Sequence, residues 1–528
     1  MQSAVTKARN RFGTLDAICV AVLIAYFLHF ALAARHGGFR EDEMLNLWAY
    51  WYVGPLQSLF DFAKFWTPYY RPGGALYYLP LYHFFGLNPF PYRIVQISIL
   101  ALSIPIAYNL ARLLASSRLV AFLAVLAFCY HPYVADLVFI GAFIYDVLCG
   151  LFYLAALTYY VHIREKGAYL RPLQLVLFVE LYICALNSKE MAVSLPVIVL
   201  IYELLKSSRW ASWKALVSWI RLDAAPALIG GGITAVYVYS KIGGTASTTL
   251  SESYRPTYTW HNFVTTNASF VGELLYTPQA ITPTTLLLLW AAVFIYAFLR
   301  RDRVLRLMAF WIVIVPLPIA FIYPIRGGGC LYLLLFGWSM MCARASCDLI
   351  AFVANAFVAY GQRIGRYRTP KAMPQSPAGS AAGSELFAGT SSATGGETLG
   401  WTVRIALVSV VAVSFALFTD WENCRLATVP NLLGVGQKVS HVIAAFDSLN
   451  LRPAAHSTVF LKPNEQLFRN KWHPLFIASL VWNDHSLQIW IDNVSKITPA
   501  QLAGADYIIS LTEFNATVLR SPNARKTK

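Results

Sequence analysis

The stretch Leu15–Ala34, LDAICVAVLIAYFLHFALAA, decides the fold class. It is a run of about 20 mostly apolar residues, the length an α-helix needs to cross the roughly 30 Å hydrocarbon layer of a bilayer. No small-residue cleavage site precedes the polar loop that follows, so the segment is expected to stay as a first spanning helix rather than leave as a signal peptide. The pattern repeats along the chain. Of 528 residues, 57% are hydrophobic and 13% charged, and mean hydropathy is +0.53. A water-soluble domain of this length has nowhere to hide so much apolar surface. Apolar runs bounded by charge fall at residues 14–34, 92–113, 119–134, 137–162, 172–188, 191–206, 224–241, 281–299, 307–325, 331–350 and 401–419, predicting about eleven spans.

The formal charge is +16, from 42 Lys and Arg against 26 Asp and Glu. A basic excess in a soluble protein points to nucleic acid, but here the cations sit in short clusters between apolar runs, which is a signature of membrane topology. One alternate set of loops holds Lys7, Arg9, Arg11, Arg112, Arg118, Arg164, Lys166, Arg171, Lys206, Arg209, Lys214, Arg221, Arg300, Arg301, Arg303, Arg306, Arg363, Arg366, Arg368 and Lys371. The other holds fewer: Arg35, Arg40, Lys64, Arg71, Arg93, Lys189, Lys241, Arg255 and Arg326. The positive-inside rule then places the N-terminus in the cytoplasm of a multi-pass plasma (inner) membrane protein. Among the eight cysteines, Cys19, Cys129, Cys149, Cys184, Cys342 and Cys347 lie in or beside apolar runs without the paired spacing of a metal site.

The expected architecture is an all-α polytopic bundle, residues 1–350, with a long aromatic first outer loop at 35–91. A cytoplasmic Ala, Gly, Ser and Thr linker follows at 351–400, then a last span at 401–419. Residues 420–528 have ordinary mixed composition, with strand-like runs Thr458–Leu461 and Tyr507–Leu511 and a helix-like run Gln437–Leu449, predicting a small extracytoplasmic α/β domain.

Charged residues near the outer ends of the spans are the candidates for chemistry. Glu41-Asp42-Glu43 opens the first outer loop. The triplet reads either as an acidic first turn favoured by the helix dipole, or as crowded carboxylates of which one serves as a general base. Tyr70-Arg71-Pro72-Gly73-Gly74 and Gly86-Leu87-Asn88-Pro89 follow, as turn punctuation or as part of a site. His131-Pro132 precedes Asp136 and Asp146, and a carboxylate at membrane depth costs about 2.5 to 3.5 kcal/mol, so Asp146 calls for a wet cavity or a partner. Lys189, in Ser188-Lys189-Glu190, and Arg326, before three glycines, are outer-face cations that either snorkel or meet an anionic headgroup.

In this order the motifs resemble the GT-C superfamily of membrane glycosyltransferases, which use polyprenyl-phosphate-linked sugars, and most of all the protein O-mannosyltransferase branch. The resemblance spans residues 35–340 and departs from the family pattern at Ile144 and at Gly329-Cys330. It implies a catalytic carboxylate at Asp42 with Glu43 beside it. It also implies donor-phosphate contacts from Lys189, Arg326 or Arg71, and a cavity lined by Glu41, His131, Asp136, Asp146 and Glu190. The implied partners are a polyprenyl-phosphate sugar, membrane lipid and a hydroxyl acceptor, with no nucleic acid. No His and carboxylate spacing demands a metal, so no cofactor is expected. Two rival readings remain: a transporter or flippase using Asp146, Glu180 and Lys189 as relay charges, and a scaffold whose tail binds envelope components.

Overall fold

A computed structural model describes residues 12–67, 71–207, 212–243, 256–321, 327–368, 391–427, 435–463, 467–492, 494–495 and 497–521. Within the described residues, each of the expected apolar runs is mostly helical. Among the described residues, six helices are long and apolar enough to cross a membrane: Thr14–His36, Pro89–Ala115, Gly141–Glu165, Arg303–Ala320, Gly328–Phe357 and Thr402–Leu426. Two further pairs, Arg118–Cys129 with Pro132–Phe139 and Trp213–Leu222 with Ala225–Lys241, bend by 54° and 60° and raise the number to eight. The expectation of eleven is therefore not reached. Pro172–Ser188 and Pro283–Leu299 are apolar but only 17 residues each, about 25 Å of helix against roughly 30 Å of hydrocarbon.

Local chemistry explains the helix boundaries. The Asn88 side chain accepts the Phe90 amide at 3.1 Å and Pro89 takes the first helical position, where its missing N–H costs nothing. Gly86-Leu87-Asn88-Pro89 is thus the start signal of the Pro89–Ala115 helix. At the break after Cys129, Tyr130 and His131 are extended, and the chain turns helical again only from Pro132. The residue before a proline is pushed out of the α region.

Inside the bundle, several tyrosine hydroxyls and charges find partners, as a medium without water favours. Tyr108 donates to Asp16 at 3.0 Å and Tyr160 to Glu203 at 2.8 Å. Asp16 also pairs with Arg118, and Arg164 pairs with Glu203 and Asp223. These pairs gather at the end of the bundle that carries the Lys- and Arg-rich loops.

At the other end a small domain caps the first loop. Its sheet runs β2-β1-β3-β4, with β1 (Thr458–Pro463) parallel to both β2 (Gln488–Ile491) and β3 (Tyr507–Leu511), and β4 (Ala516–Arg520) antiparallel at the edge. The helices Val435–Ser448 and His473–Trp482 complete it. It docks on the helix Glu41–Val53: Trp51 Nε1 donates to Asn483 Oδ1 at 2.7 Å, the Trp51 ring stacks on His485 at 3.7 Å, and Trp48 meets Phe476 at 4.7 Å. The Tyr82 hydroxyl adds a 2.5 Å bond to the Leu480 carbonyl. Helices Tyr332–Arg368 and Ser391–Ala427 run into the expected linker from both sides, and residues 369–390 of that linker lie outside the described residues.

Trp51 is buried and carries both a hydrogen bond and a stack across this junction. Trp51→Ala is expected to cost about 3 to 5 kcal/mol at the contact. Hydrogen–deuterium exchange should rise in His473–Trp482 while the bundle core keeps its protection. Unchanged exchange there would mean that the junction does not depend on Trp51.

Candidate functional site

The helix Glu41–Val53 begins after an extended Arg40, and Glu43 reaches back so that its Oε2 accepts the Arg40 amide at 2.9 Å. That is the reciprocal half of a capping arrangement, with negative charge in the first turn where the helix dipole favours it. Arg93, from the start of the Pro89–Ala115 helix, grips the same carboxylate with two 2.8 Å bonds, Nη1 to Oε1 and Nη2 to Oε2. Both side chains are 0% exposed. Two more guanidinium N–H groups go to the Gly38 and Gly37 carbonyls at 2.6 and 3.4 Å, so four of the five donors of the buried cation are used. Gly141 lies so close over the pair that a methyl group there would run into Glu43 Oε1.

The neighbouring acids are placed differently. Asp42 is exposed and makes no hydrogen bond or ion pair to a described residue. Glu41 is 34% exposed and faces His473 Nδ1 of the capping domain at 3.7 Å. Of the three consecutive carboxylates, Glu43 is committed to structure, Glu41 turns toward the domain junction and Asp42 is left open.

Eight residues along the same helix, about 12 Å, the Tyr50 hydroxyl donates to the Arg71 carbonyl at 2.7 Å and meets the Tyr145 hydroxyl at 3.0 Å. Arg71 is left-handed, with φ +51°, and starts the turn Pro72–Gly74. Gly74 packs against Tyr50 and Tyr145 with no room for a side chain. The Arg71 guanidinium lies 5.2 Å from the Tyr145 ring centre and binds Glu190 through two bonds of 2.6 and 3.1 Å. One residue earlier in the chain, buried Lys189 donates to Asp146 Oδ1 at 2.5 Å and lies 3.3 Å from Cys330 Sγ. Lys189 is the extended junction after the helix Pro172–Ser188, and it sends these two adjacent charges to different partners. The four charges sum to zero.

Asp136 is half-buried and accepts the Gly328 amide at 3.1 Å. His131 is buried, stacked on Tyr276 at 4.3 Å with Nε2 3.2 Å from the Leu274 carbonyl. The His131 ring borders a crevice of about 10 Å³ with Phe128 and Tyr332, too small for more than one water, and that crevice does not reach Asp42. Arg326 and Tyr70 lie outside the described residues. Among the described residues no three His, Cys, Asp or Glu side chains are grouped to hold a metal ion.

Two participants carried no signal of their own in the sequence. Arg93 was one outer-loop cation among several, and its carboxylate is 50 residues away in the chain. Glu273, half-buried at the end of the helix Trp260–Leu274, has its carboxyl pushed up to about 7, by burial first and by the charge of Asp136 second. Glu190 goes the other way. Burial acts to raise its carboxyl, but Arg71 and then Lys189 outweigh that and hold it down at about 2.

A carboxylate held below its unfolded value stabilises the fold above that value, and the contribution is lost as pH falls toward the folded one. For Glu190 the window runs from about 4.5 down to about 2. Thermal unfolding of the purified protein across this range should show a loss of stability that is absent in Glu190→Gln. Identical acid profiles for the two proteins would contradict the arrangement.

No family model matches the chain, and no curated protein matches it by sequence. Among solved structures the chain is similar to ArnT from Cupriavidus metallidurans in the apo state, at 15% identity and TM-score 0.46, covering 90% of this chain and 85% of that one. It is similar to the same protein bound to undecaprenyl phosphate, at 13% identity and TM-score 0.47, covering 94% and 92%. It is also similar to the archaeal oligosaccharyltransferase AglB from Archaeoglobus fulgidus in complex with an inhibitory peptide and a dolichol-phosphate, at 12% identity and TM-score 0.47, covering 94% and 69%.

Proposed function

We propose that this chain is a membrane glycosyltransferase of the GT-C type. It moves a sugar from a polyprenyl-phosphate donor to a hydroxyl acceptor, with Asp42 as the general base, at the extracytoplasmic end of the bundle. One observation carries the reading: a single open carboxylate, Asp42, sits in the turn whose next residue is locked into a water-free ion pair. The motif resemblance supplies the donor class, and the geometry supports Asp42 as the base. Glu43 has both oxygens occupied by Arg93, so of the acidic pair only Asp42 is free to take a proton.

The step is a single displacement. The acceptor oxygen bonds to the anomeric carbon, its proton passes to Asp42, and the bond from that carbon to the phosphate oxygen breaks, releasing polyprenyl phosphate with its added negative charge. The product is inverted. Arg71, the more accessible of the two paired cations at 16% exposure, offers its guanidinium to the departing phosphate, with Lys189 behind it and Arg326 as a further contributor. Charges aimed where charge develops are commonly the largest catalytic term. The transporter reading draws no support from the same residues: Asp146 and Lys189 close on one another, and Glu180 lies exposed on the outside of its helix.

Asp42→Asn is expected to lower sugar transfer from a polyprenyl-phosphate donor by about 10² to 10⁴, the usual worth of a positioned base, while donor binding and thermal stability stay near wild type. Transfer assayed with radiolabelled donor in nanodiscs decides it. An Asp42→Asn protein that transfers at the wild-type rate removes the proposal.

A further inference from the structure

At the end of the bundle away from Asp42, several helix ends leave a cavity of about 210 Å³. One of its walls is the last turn of Pro89–Ala115, the helix whose opposite end carries Arg93. The 21 residues from Arg93 to Leu114 put about 32 Å between the two places. The volume is many times the roughly 10 to 15 Å³ that a single water needs. The lining is mixed in character. Leu205 and Leu307 are among its apolar lining residues, and Glu165, Tyr202, Lys206 and Arg303 are among its polar ones.

The polar lining has a surplus of positive charge. Glu165 Oε1 accepts the Tyr202 hydroxyl at 2.5 Å and lies 3.3 Å from Lys206 Nζ, which neutralises it. Lys206 also donates to the Arg164 carbonyl at 2.5 Å. Arg303 has no such partner: it is exposed and makes no hydrogen bond or ion pair to a described residue. The adjacent carboxylate, Asp302, is already used, capping the Val304 amide at 2.8 Å and pairing with Arg344 at 3.0 Å. Arg303 also occupies the first turn of the helix Arg303–Ile314, where the peptide dipoles add to the positive potential instead of cancelling it. A cation at a positive helix end, beside an open cavity lined in part by leucines, matches a molecule that is anionic at one end and hydrocarbon at the other.

We infer that this cavity binds the phosphate group of an anionic membrane lipid, with Arg303 and Lys206 facing the phosphate and Leu205 and Leu307 covering the first part of the chain. The site is separate from the Asp42 end and does not rest on the proposed transferase activity. Lipid held there clamps the ends of the helices Leu195–Lys206 and Arg303–Ile314 together.

The test is thermal unfolding of the full chain in detergent, titrated separately with phosphatidylglycerol, phosphatidylcholine and inorganic phosphate. Phosphatidylglycerol should raise the midpoint saturably, with phosphatidylcholine and inorganic phosphate ineffective at the same concentration. Arg303→Gln, a change at an exposed position, should weaken the phosphatidylglycerol effect about fivefold, the typical worth of one interfacial cation. Leu205→Trp, which fills the cavity and leaves the charges in place, should abolish it. Equal responses to the two lipids, or an Arg303→Gln protein with the wild-type titration, overturn the site. An equal response to inorganic phosphate overturns the lipid assignment in favour of a soluble phosphate.

Discussion

A carboxylate and a guanidinium, both sealed from water, hold the end of the bundle that carries the candidate site in place. Glu43 and Arg93 hold one another through two 2.8 Å bonds, and Arg93 gives two further N–H groups to the carbonyls of Gly37 and Gly38. Either ion alone in such a setting is costly by several kcal/mol, so the two segments that carry them are tied together. Helix geometry does the rest. Successive residues are about 100° apart around the axis, so turning Glu43 fully inward swings Asp42 outward.

Charge is handled differently at the two ends of the bundle. Around the candidate site Glu43 with Arg93, Asp146 with Lys189, and Glu190 with Arg71 cancel in pairs. An anionic phosphate entering there does not meet a wall of free negative charge, and cations stand near it whose present partners are carboxylates. At the basic end, Asp16, Glu203, Asp223, Asp302 and Asp348 are each matched to an arginine. Among the described residues there, Lys166, Arg221, Arg301 and Arg303 have no carboxylate partner, and of these Arg303 lines a cavity. Charge buried in or near a bilayer must be paired, which explains the buried pairs, while exposed cations at the basic end can stay open to solvent or to an anionic ligand.

The sequence made the periodic and punctuated parts of this structure legible. The runs beginning at Leu15 and at residue 92 are helices long and apolar enough to span a membrane, and the β-rich runs at Thr458 and Tyr507 are neighbouring parallel strands of the C-terminal sheet. The number of spans was less legible, because Pro172–Ser188 and Pro283–Leu299 stop a turn or so short of bilayer thickness and hydropathy alone does not weigh length so finely. Within the candidate site, the acidic turn at Glu41 and the charged junction at Lys189 showed themselves as charges out of place. Their partners did not. Arg93 finds Glu43 across 50 residues and Lys189 finds Asp146 across 43, and such pairings are decided by helix packing, which leaves no local trace in the chain. The seating of the capping domain on Trp48 and Trp51 is hidden for the same reason.

The most direct test of the central claim is a double-mutant cycle on Glu43→Gln and Arg93→Gln, read by thermal unfolding in nanodiscs with sugar transfer measured on the same samples. A coupling of about 2 to 3 kcal/mol, with transfer falling together with stability in both single variants, is what a buried pair presenting Asp42 requires. A coupling within about 0.5 kcal/mol of zero would show that the two ions do not depend on one another, and the placement of Asp42 would then lose its foundation.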